Sequence, residues 1–154
     1  MKYLFTSLII GAFGVVSASA QTPRPIIDLA TAALIRDHCL KSGAEAGHAM
    51  AIAVFDTGGE LITYAKADGA STATGAVAQW KGKSAAVYRF STEETGGWGV
   101  PTAPMIATVR GGFPVFTKTG EIIGGVGVSG APSTFDAACA SDAVKAAGLL
   151  TAAP

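Results

Sequence analysis

Two histidines are the side chains best suited to bind a metal ion in this sequence, and their predicted positions differ. His48 opens the first predicted strand, directly after the first predicted helix ends. At such an edge a ring nitrogen could meet iron or a polar ligand. The alternative is a half-buried histidine whose ring bonds to the backbone. His38 lies in mid-helix, about 100° from the predicted core stripe, and is expected to be a solvated flank residue.

Two cations on the second predicted helix are the other candidate binding residues. Lys83 and Arg89 could pair with a carboxylate or a propionate group of a ligand. The alternative is a solvated helix face. With Lys81 they place positive charge in the C-terminal half of the helix, where the helix dipole favours it.

The remaining polar candidates have a structural interpretation. Asp56 and Asp68 are expected to shape turns. Asp136 is expected to act as a capping residue, because residues 133–136 fit the S-x-x-D capping box. Four further side chains have the chemistry of axial iron ligands, although packing is the default for each: Tyr64, Tyr88, Met50 and Met105.

Motifs of the common enzyme classes are absent from the sequence. It contains no G-x-S-x-G elbow, Walker loop, H-E-x-x-H or C-x-x-C. The glycines of residues 124–127 lie within a strand pattern and not at a strand-to-helix turn, so they make a poor dinucleotide loop. Two histidines without a carboxylate cluster cannot fill a tetrahedral zinc site. A hydrolytic metalloenzyme is therefore disfavoured, and a non-catalytic role is favoured over an enzyme.

Residues 1–20 have the pattern of a secretory signal peptide. Lys2 precedes an apolar run at residues 4–16, and Ala18-Ser19-Ala20 is an A-x-A cleavage site. The run is short for a transmembrane helix, although an uncleaved anchor is the alternative. The sequence thus predicts cleavage between Ala20 and Gln21 and a periplasmic or secreted protein.

Composition predicts a single small domain with no nucleic-acid partner. Removing 20 of the 154 residues leaves 134, the size of one domain. The 11 basic and 11 acidic residues balance and form no basic stripe, which disfavours nucleic acids and anionic membranes. Abundant small side chains bury little area, so an oligomer would add stability. We expect an extended arm at residues 21–27, one domain at 28–150 and a tail at 151–154.

Apolar periodicity predicts the order helix, hairpin, helix, loop, hairpin, helix. Asp28 is expected to cap the first helix, Ser71 or Thr72 the second and Ser133 the last. Residues 91–104 are predicted as an irregular loop or one with a short helical turn, and residues 105–109 as a strand or a helix tail. The predicted buried face of the second helix comprises Ala73, Val77, Trp80, Ser84 and Val87. Separated hairpins and helices predict an α+β fold with an antiparallel sheet.

Glycines and cysteines suggest how the elements pack. Three glycines within residues 124–127 leave a bare strand face, which a helix, a ligand or another subunit could approach. The small-residue faces of the first and last helices are the preferred partners. Cys39 and Cys139 could lock these helices together, because an exported chain with an even cysteine count favours a disulfide. Two separate buried thiols are the alternative.

The motifs resemble those of the GlcG/HbpS-like family, also called the haem-degrading or DUF336 domain. The similarity extends over residues 28–150. It includes the A-V-x-D-x-G-G turn, the D-G-A that follows the second strand, G-G-x-P, and the I-G-G-V-G-V-S-G strand, all in the family's order.

This resemblance implies a profilin-like α+β fold and assembly into homo-oligomers from dimer to octamer. Exported members of the family are haem-binding proteins, some of which work with a membrane sensor protein. The implied cofactor is therefore haem, with His48 as the leading iron ligand and Lys83 and Arg89 as further ligand-binding candidates. Two alternatives are kept open. One is an oligomeric sensor-partner module without haem, and the other is an enzyme that degrades haem or acts on a small organic acid.

Overall fold

A computed structural model describes residues 22–154. The predicted signal peptide and its cleavage site lie outside these residues. The elements in chain order are α1 (Leu29–Glu45), β1 (Ala51–Phe55), β2 (Leu61–Lys66), α2 (Thr72–Tyr88), α3 (Thr92–Gly96), β3 (Gly112–Phe116), β4 (Ile122–Ser129) and α4 (Ser133–Ala146). Within residues 22–154, no helix is both long and apolar enough to span a membrane.

The four strands form one antiparallel sheet in the order β2-β1-β4-β3. The predicted α+β fold is therefore confirmed, and the five-residue α3 is the short helical turn that was one of the two alternatives for residues 91–104. A bulge between Val54 and Phe55 shifts the register of β1 against β2. A regular strand would place Ile62 and Tyr64 on one face, but at the bulge Ile62 packs with the larger core and Tyr64 packs on the opposite face.

The two faces of the sheet carry cores of different kinds. Helices α1 and α4 cover a large aliphatic cluster that includes Ile52 and Val128. Helix α2 covers the other face, where the apolar cluster is limited to Ala53, Phe55 and Ala86. The first face is thus filled by side-chain volume, and the second by close approach of backbones.

Helix α2 lies directly on β4 because glycines and small side chains face each other at this contact. A Cβ atom added to Gly127 would collide with the backbone of Ala78 and Gly82, and one added to Gly125 would overlap Ala86. The glycines do admit a helix, but the prediction that α1 and α4 fill this role is wrong. Those helices pack on the opposite face of the sheet, where the branched side chains of β1 and β4 point.

The predicted buried face of α2 is also wrong. Its buried residues are Gly75, Ala78, Lys81, Gly82, Ser84, Ala85 and Ala86. Ser84 alone is common to both sets, and the side chain of Trp80 is 37% exposed. Because a glycine strand admits only the smallest side chains, the small residues of α2 mark its buried face and the large ones turn outward.

Residues 105–109 form neither the strand nor the helix tail that the sequence predicts. Buried hydroxyl groups hold this segment instead. The Ser84 hydroxyl accepts a hydrogen bond of 2.8 Å from the Ala107 amide, and the Thr95 hydroxyl donates one of 2.6 Å to the Ala107 carbonyl. Side chains therefore satisfy backbone groups that would otherwise need a sheet partner.

The N-terminus of α4 lacks the predicted capping box. Pro132 holds the N-cap position and Ser133 makes no capping hydrogen bond. Asp136 turns into the interior to pair with a buried lysine, and it reaches back only to the Ala131 amide, at 3.1 Å. A capping box is present on α3, where the Ser91 hydroxyl accepts from the Glu94 amide at 3.2 Å. The Glu94 carboxylate accepts from the Ser91 amide at 3.3 Å.

Helix α1 follows the prediction closely. The Asp28 carboxylate accepts a hydrogen bond of 2.7 Å from the Thr31 amide and so caps the helix. A disulfide joins Cys39 of α1 to Cys139 of α4, with the two Cα atoms 5.6 Å apart. Of the two alternatives for the cysteines, the bridge is confirmed. It fastens together the two helices that cover the larger core.

Candidate functional site

His48 lies at the entrance to β1, between the end of α1 and the start of α4. Its amide donates a hydrogen bond of 2.8 Å to the Gly43 carbonyl, which fixes the backbone. Its half-buried ring packs edge-on against Phe135 of α4, with ring centroids 5.0 Å apart and planes at 70°. The ring is thereby held in place by an aromatic contact and not by a polar one.

The nitrogens of the His48 ring are available for a ligand. Among residues 22–154 no hydrogen bond to this ring is present, and every buried side-chain nitrogen or oxygen has a partner. The ring nitrogens therefore reach solvent. This is not the backbone-bonded histidine of the alternative interpretation. His38 is exposed on α1, as the sequence predicts.

A buried ion pair lies at the same end of the molecule. Lys81 of α2 and Asp136 of α4 are 1% and 2% exposed. The Lys81 ammonium donates to an oxygen of Asp136 at 3.1 Å and to the Val128 carbonyl at 2.9 Å. The other Asp136 oxygen accepts from the Ala131 amide at 3.1 Å. This pair thus connects α2, the end of β4 and the start of α4.

Burial dominates the titration of both charged groups. It lowers the pKa of Lys81, and attraction to Asp136 offsets part of that effect. Burial likewise raises the pKa of Asp136, against the opposing influence of Lys81, the Ala131 amide and, most weakly, the charge of His48. Asp136 follows Phe135, which packs on the His48 ring, so the carboxylate and the ring lie at the same end of the molecule.

Sequence reasoning treated Lys81 as one of three cations in the C-terminal half of the helix and missed this pair. One signal was present, since Lys81 follows Ala78 by three positions and precedes Ala85 by four. A lysine at helical spacing within a row of small residues lies on the face that packs against glycines. Nothing comparable marks Asp136, whose place in S-x-x-D favours a cap.

The structure does not bring Lys83 and Arg89 together with His48. The side chain of Lys83 lies against Gly59 in the β1–β2 turn, and Arg89 lines an open groove with Thr57 of the same turn. His48 precedes β1 and this turn follows it, so the length of the strand, about 16 Å, lies between them. The candidate ligand residues therefore divide into two groups at opposite ends of the sheet.

Three of the other candidate side chains are held by packing or by hydrogen bonds within the protein. Met50 is buried in the larger core. The Tyr88 hydroxyl donates a hydrogen bond of 2.6 Å to the Pro104 carbonyl. The Asp56 carboxylate accepts from the amides of Gly58 and Glu60 at 2.8 and 2.9 Å and thus shapes the turn as predicted. Over residues 22–154, no cluster of three histidine, cysteine or acidic residues could hold a metal ion.

Comparison with known proteins identifies the family. The profile of the family described as "Haem degrading protein HbpS-like" matches residues 27–145, well over half of the chain. Protein GlcG of Escherichia coli strain K12 is 35% identical over 86 residues. That match covers 52% of this chain and 63% of GlcG, so it spans less than two thirds of the relative's length.

Solved structures share the fold at lower sequence identity. The Klebsiella pneumoniae protein ORFY, of family DUF336, has a TM-score of 0.77 at 24% identity and covers 86% of this chain and 98% of its own. A complex of PduOC with haem has a TM-score of 0.77 at 17% identity, covering 83% and 99%. A double mutant of Streptomyces reticuli HbpS has a TM-score of 0.77 at 23% identity, covering 88% and 97%. On the strength of its sequence profile, the chain belongs to the HbpS-like family of haem-degrading proteins.

Proposed function

We propose that this chain is an exported haem-binding protein, a carrier or sensor component, in which His48 ligates the haem iron. The observation that carries the proposal is the state of the His48 ring, which is half-buried, held by Phe135 and without a hydrogen bond from the described residues. A histidine with an available ring nitrogen is a common axial ligand of haem iron.

The surroundings of His48 suit a porphyrin better than a bare metal ion. One imidazole is too little for a zinc site, and residues 22–154 contain no cluster of three metal-binding side chains. Haem supplies four nitrogens of its own and needs one or two from the protein. Phe135 offers an aromatic surface beside the ring, and the Asp136 carboxylate is already paired with Lys81.

Family and fold support the same conclusion. The matching family is described as haem-degrading, and two structures of the same fold are a PduOC–haem complex and HbpS. Bound haem would provide an iron centre for redox chemistry or for sensing. The contribution of this chain is to hold the His48 ring in a fixed orientation at an accessible edge.

The proposal also includes export of the chain and its assembly into a homo-oligomer. The signal-peptide pattern of residues 1–20 and the Cys39–Cys139 disulfide both suit an oxidising compartment such as the periplasm. Phe90 and Trp98 are 44% and 43% exposed and contact each other edge-on, which suits burial in a homo-oligomer of two to eight copies. We also propose that the chain binds a membrane sensor protein.

Titration of the tag-free protein with haemin, followed by absorbance, tests the iron ligand. We expect a saturable Soret band in the wild type. In His48→Ala the band should shift and the Kd should rise at least about tenfold, because a metal–nitrogen bond is lost. His38→Ala is the matched control, since it removes the other histidine from an exposed site. Added imidazole should restore the wild-type band in His48→Ala.

Two results would redirect the proposal. A haemin spectrum that is the same in His48→Ala as in the wild type would remove His48 as the ligand. A flat titration in every variant would instead favour the oligomeric module without haem.

Haem degradation is the second candidate function, and the family's description favours it. The haem-loaded protein should be incubated with ascorbate. Decay of the Soret band with release of biliverdin or free iron would establish turnover, and a stable band would establish a carrier or sensor.

A further inference from the structure

A groove of about 570 Å³ opens at the end of the molecule opposite His48. Its walls are the N-terminal arm at residues 22–26, Thr57, Arg89 and the hairpin segment at residues 120–122. This volume lies in the range of small-molecule sites, about 300–1,000 Å³. A second hollow of about 280 Å³, lined by Phe90 and Phe116, shares Arg89 as a wall. Arg89 therefore borders both concavities.

The backbone of Arg89 has a conformation that an arginine rarely adopts. It is the C-cap of α2, with φ of 66° and ψ of 23°, in the left-handed region where glycine is the usual residue. The charge does complement the helix dipole. A cation on the preceding turn of the helix would supply the same benefit with ordinary dihedral angles. The dipole alone therefore does not account for an arginine here.

The guanidinium of Arg89 is not engaged by the part of the chain that the structure describes. Among residues 22–154 it forms no ion pair or hydrogen bond, and the same holds for Arg24 across the groove. Arg36 and Arg110, in contrast, pair with Asp37 and Glu93 at 2.7 and 2.6 Å. Two arginines without a partner thus line a single groove.

The acidic residues that line the two concavities with Arg89 accept hydrogen bonds from local hydroxyl groups. The Glu121 carboxylate accepts a hydrogen bond from Thr117 at 2.8 Å and another from Thr119. These bonds lower the pKa of Glu121 and keep it ionised. Glu94, in the second hollow, is held by Ser91 in the capping box. Neither carboxylate forms an ion pair with Arg89; Glu121 keeps its negative charge, and with Arg24 and Arg89 the lining of the groove carries a net charge of about +1.

We propose that Arg89 and Arg24 bind the carboxylate of a small organic anion whose apolar part lies against Ile26 and Ile122. A guanidinium is planar and binds a carboxylate through two parallel hydrogen bonds. Ile26 is 78% exposed and lines the groove, as does Ile122. Such a ligand is monoanionic and amphipathic. This site is separate from His48 and does not depend on haem binding.

Saturation-transfer NMR with phenylacetate, and with phenylacetamide as the neutral control of the same shape, tests the site. We expect saturable binding of phenylacetate and none of phenylacetamide. Arg89→Gly should raise the Kd at least about tenfold while leaving the Tm unchanged or higher, because glycine suits the left-handed backbone. Arg24→Ala should weaken binding as well. Arg110→Ala is the charge-matched control and should bind like the wild type.

Several outcomes would overturn the proposal. These are absence of saturable phenylacetate binding, equal binding of phenylacetamide, and unchanged affinity in Arg89→Gly. If Arg89→Gly lowers the Tm, Arg89→Asn, which also tolerates positive φ, takes its place with the same expected loss of affinity. Retained affinity in a folded Arg89→Asn protein would equally contradict the site.

Discussion

Lys81 and Arg89 are cations on the same helix, eight residues apart, but they lie in opposite electrostatic surroundings. Lys81 is 1% exposed and is bonded to Asp136 and to the Val128 carbonyl. Arg89 is exposed at the helix end and borders the open groove without a partner among the described residues. At one end of the sheet charge stabilises the fold, and at the other it remains available to a ligand.

At the end of the sheet that carries His48, called here the closed end, the buried charges are paired within the fold. Asp136 and Lys81 satisfy each other, and the Ala131 amide takes the remaining carboxylate oxygen. The ring of His48 is the exception, since it is packed on Phe135 but not hydrogen-bonded to the described residues. A half-buried ring without a hydrogen-bond partner among the described residues is therefore a better guide to function here than charge itself.

Asp136→Ala should have the largest effect on stability. The substitution leaves the Lys81 ammonium buried without its counterion, which costs about 3–5 kcal/mol in the free energy of unfolding. Urea denaturation measures this loss. Asp142→Ala is the control on the same helix, because its ion pair with Lys145 is exposed, and it should cost less than about 1 kcal/mol.

The double variant Lys81→Met with Asp136→Leu should recover most of the loss, because an apolar pair needs no compensation for lost hydration. If Asp136→Ala lowers the free energy of unfolding no more than Asp142→Ala does, the Lys81–Asp136 ion pair does not stabilise this end of the fold.

Gly111→Ala should cause the next largest loss in the free energy of unfolding. Gly111 has a φ of 118°, and an added Cβ would lie 2.8 Å from the Lys81 ammonium and 2.7 Å from the Val128 carbonyl. Backbone strain and overpacking together predict a loss of about 2–4 kcal/mol. Gly120→Ala is the counterpart at the open end, where the added atom meets only the Pro154 ring, at 3.2 Å. It should cost about 1–2 kcal/mol from backbone strain. Equal losses in thermal unfolding would argue that the two ends are packed alike.

The smallest expected difference concerns the helix caps. Ser91→Ala removes the capping box of α3 beside the open end and should cost about 1 kcal/mol. Ser133→Ala, at the start of α4, should change the free energy of unfolding by less than about 0.5 kcal/mol, because that hydroxyl makes no capping bond. A larger loss of stability in Ser133→Ala would show that Ser133 caps α4, as the sequence pattern predicts.

The sequence predicts local structure well where a residue's role depends on its neighbours in the chain. Asp28 caps α1, Asp56 shapes its turn, and the alternation of Met50 and Ile52 identifies one face of β1. Apolar periodicity fails on α2, because β4 admits only small side chains and Trp80 turns outward. A helix that packs on glycines reverses the usual rule that large apolar residues mark the buried face.

The candidate site depends on distances between elements that no local pattern contains. Lys83 and Arg89 lie on one helix and were predicted to bind the same ligand as His48. Antiparallel topology places the end of α2 at the β1–β2 turn and His48 at the other end of β1. The pairing of Lys81 with Asp136 likewise joins residues 55 positions apart.

Haemin affinity measured by absorbance in His48→Ala and Arg89→Gly, side by side, tests the separation of the two ends most directly. We predict a Kd raised at least about tenfold with a displaced Soret band in His48→Ala, and a Kd within about twofold of the wild type in Arg89→Gly. The reverse pattern, with affinity lost in Arg89→Gly and kept in His48→Ala, would place haem in the groove through its propionates and contradict this account.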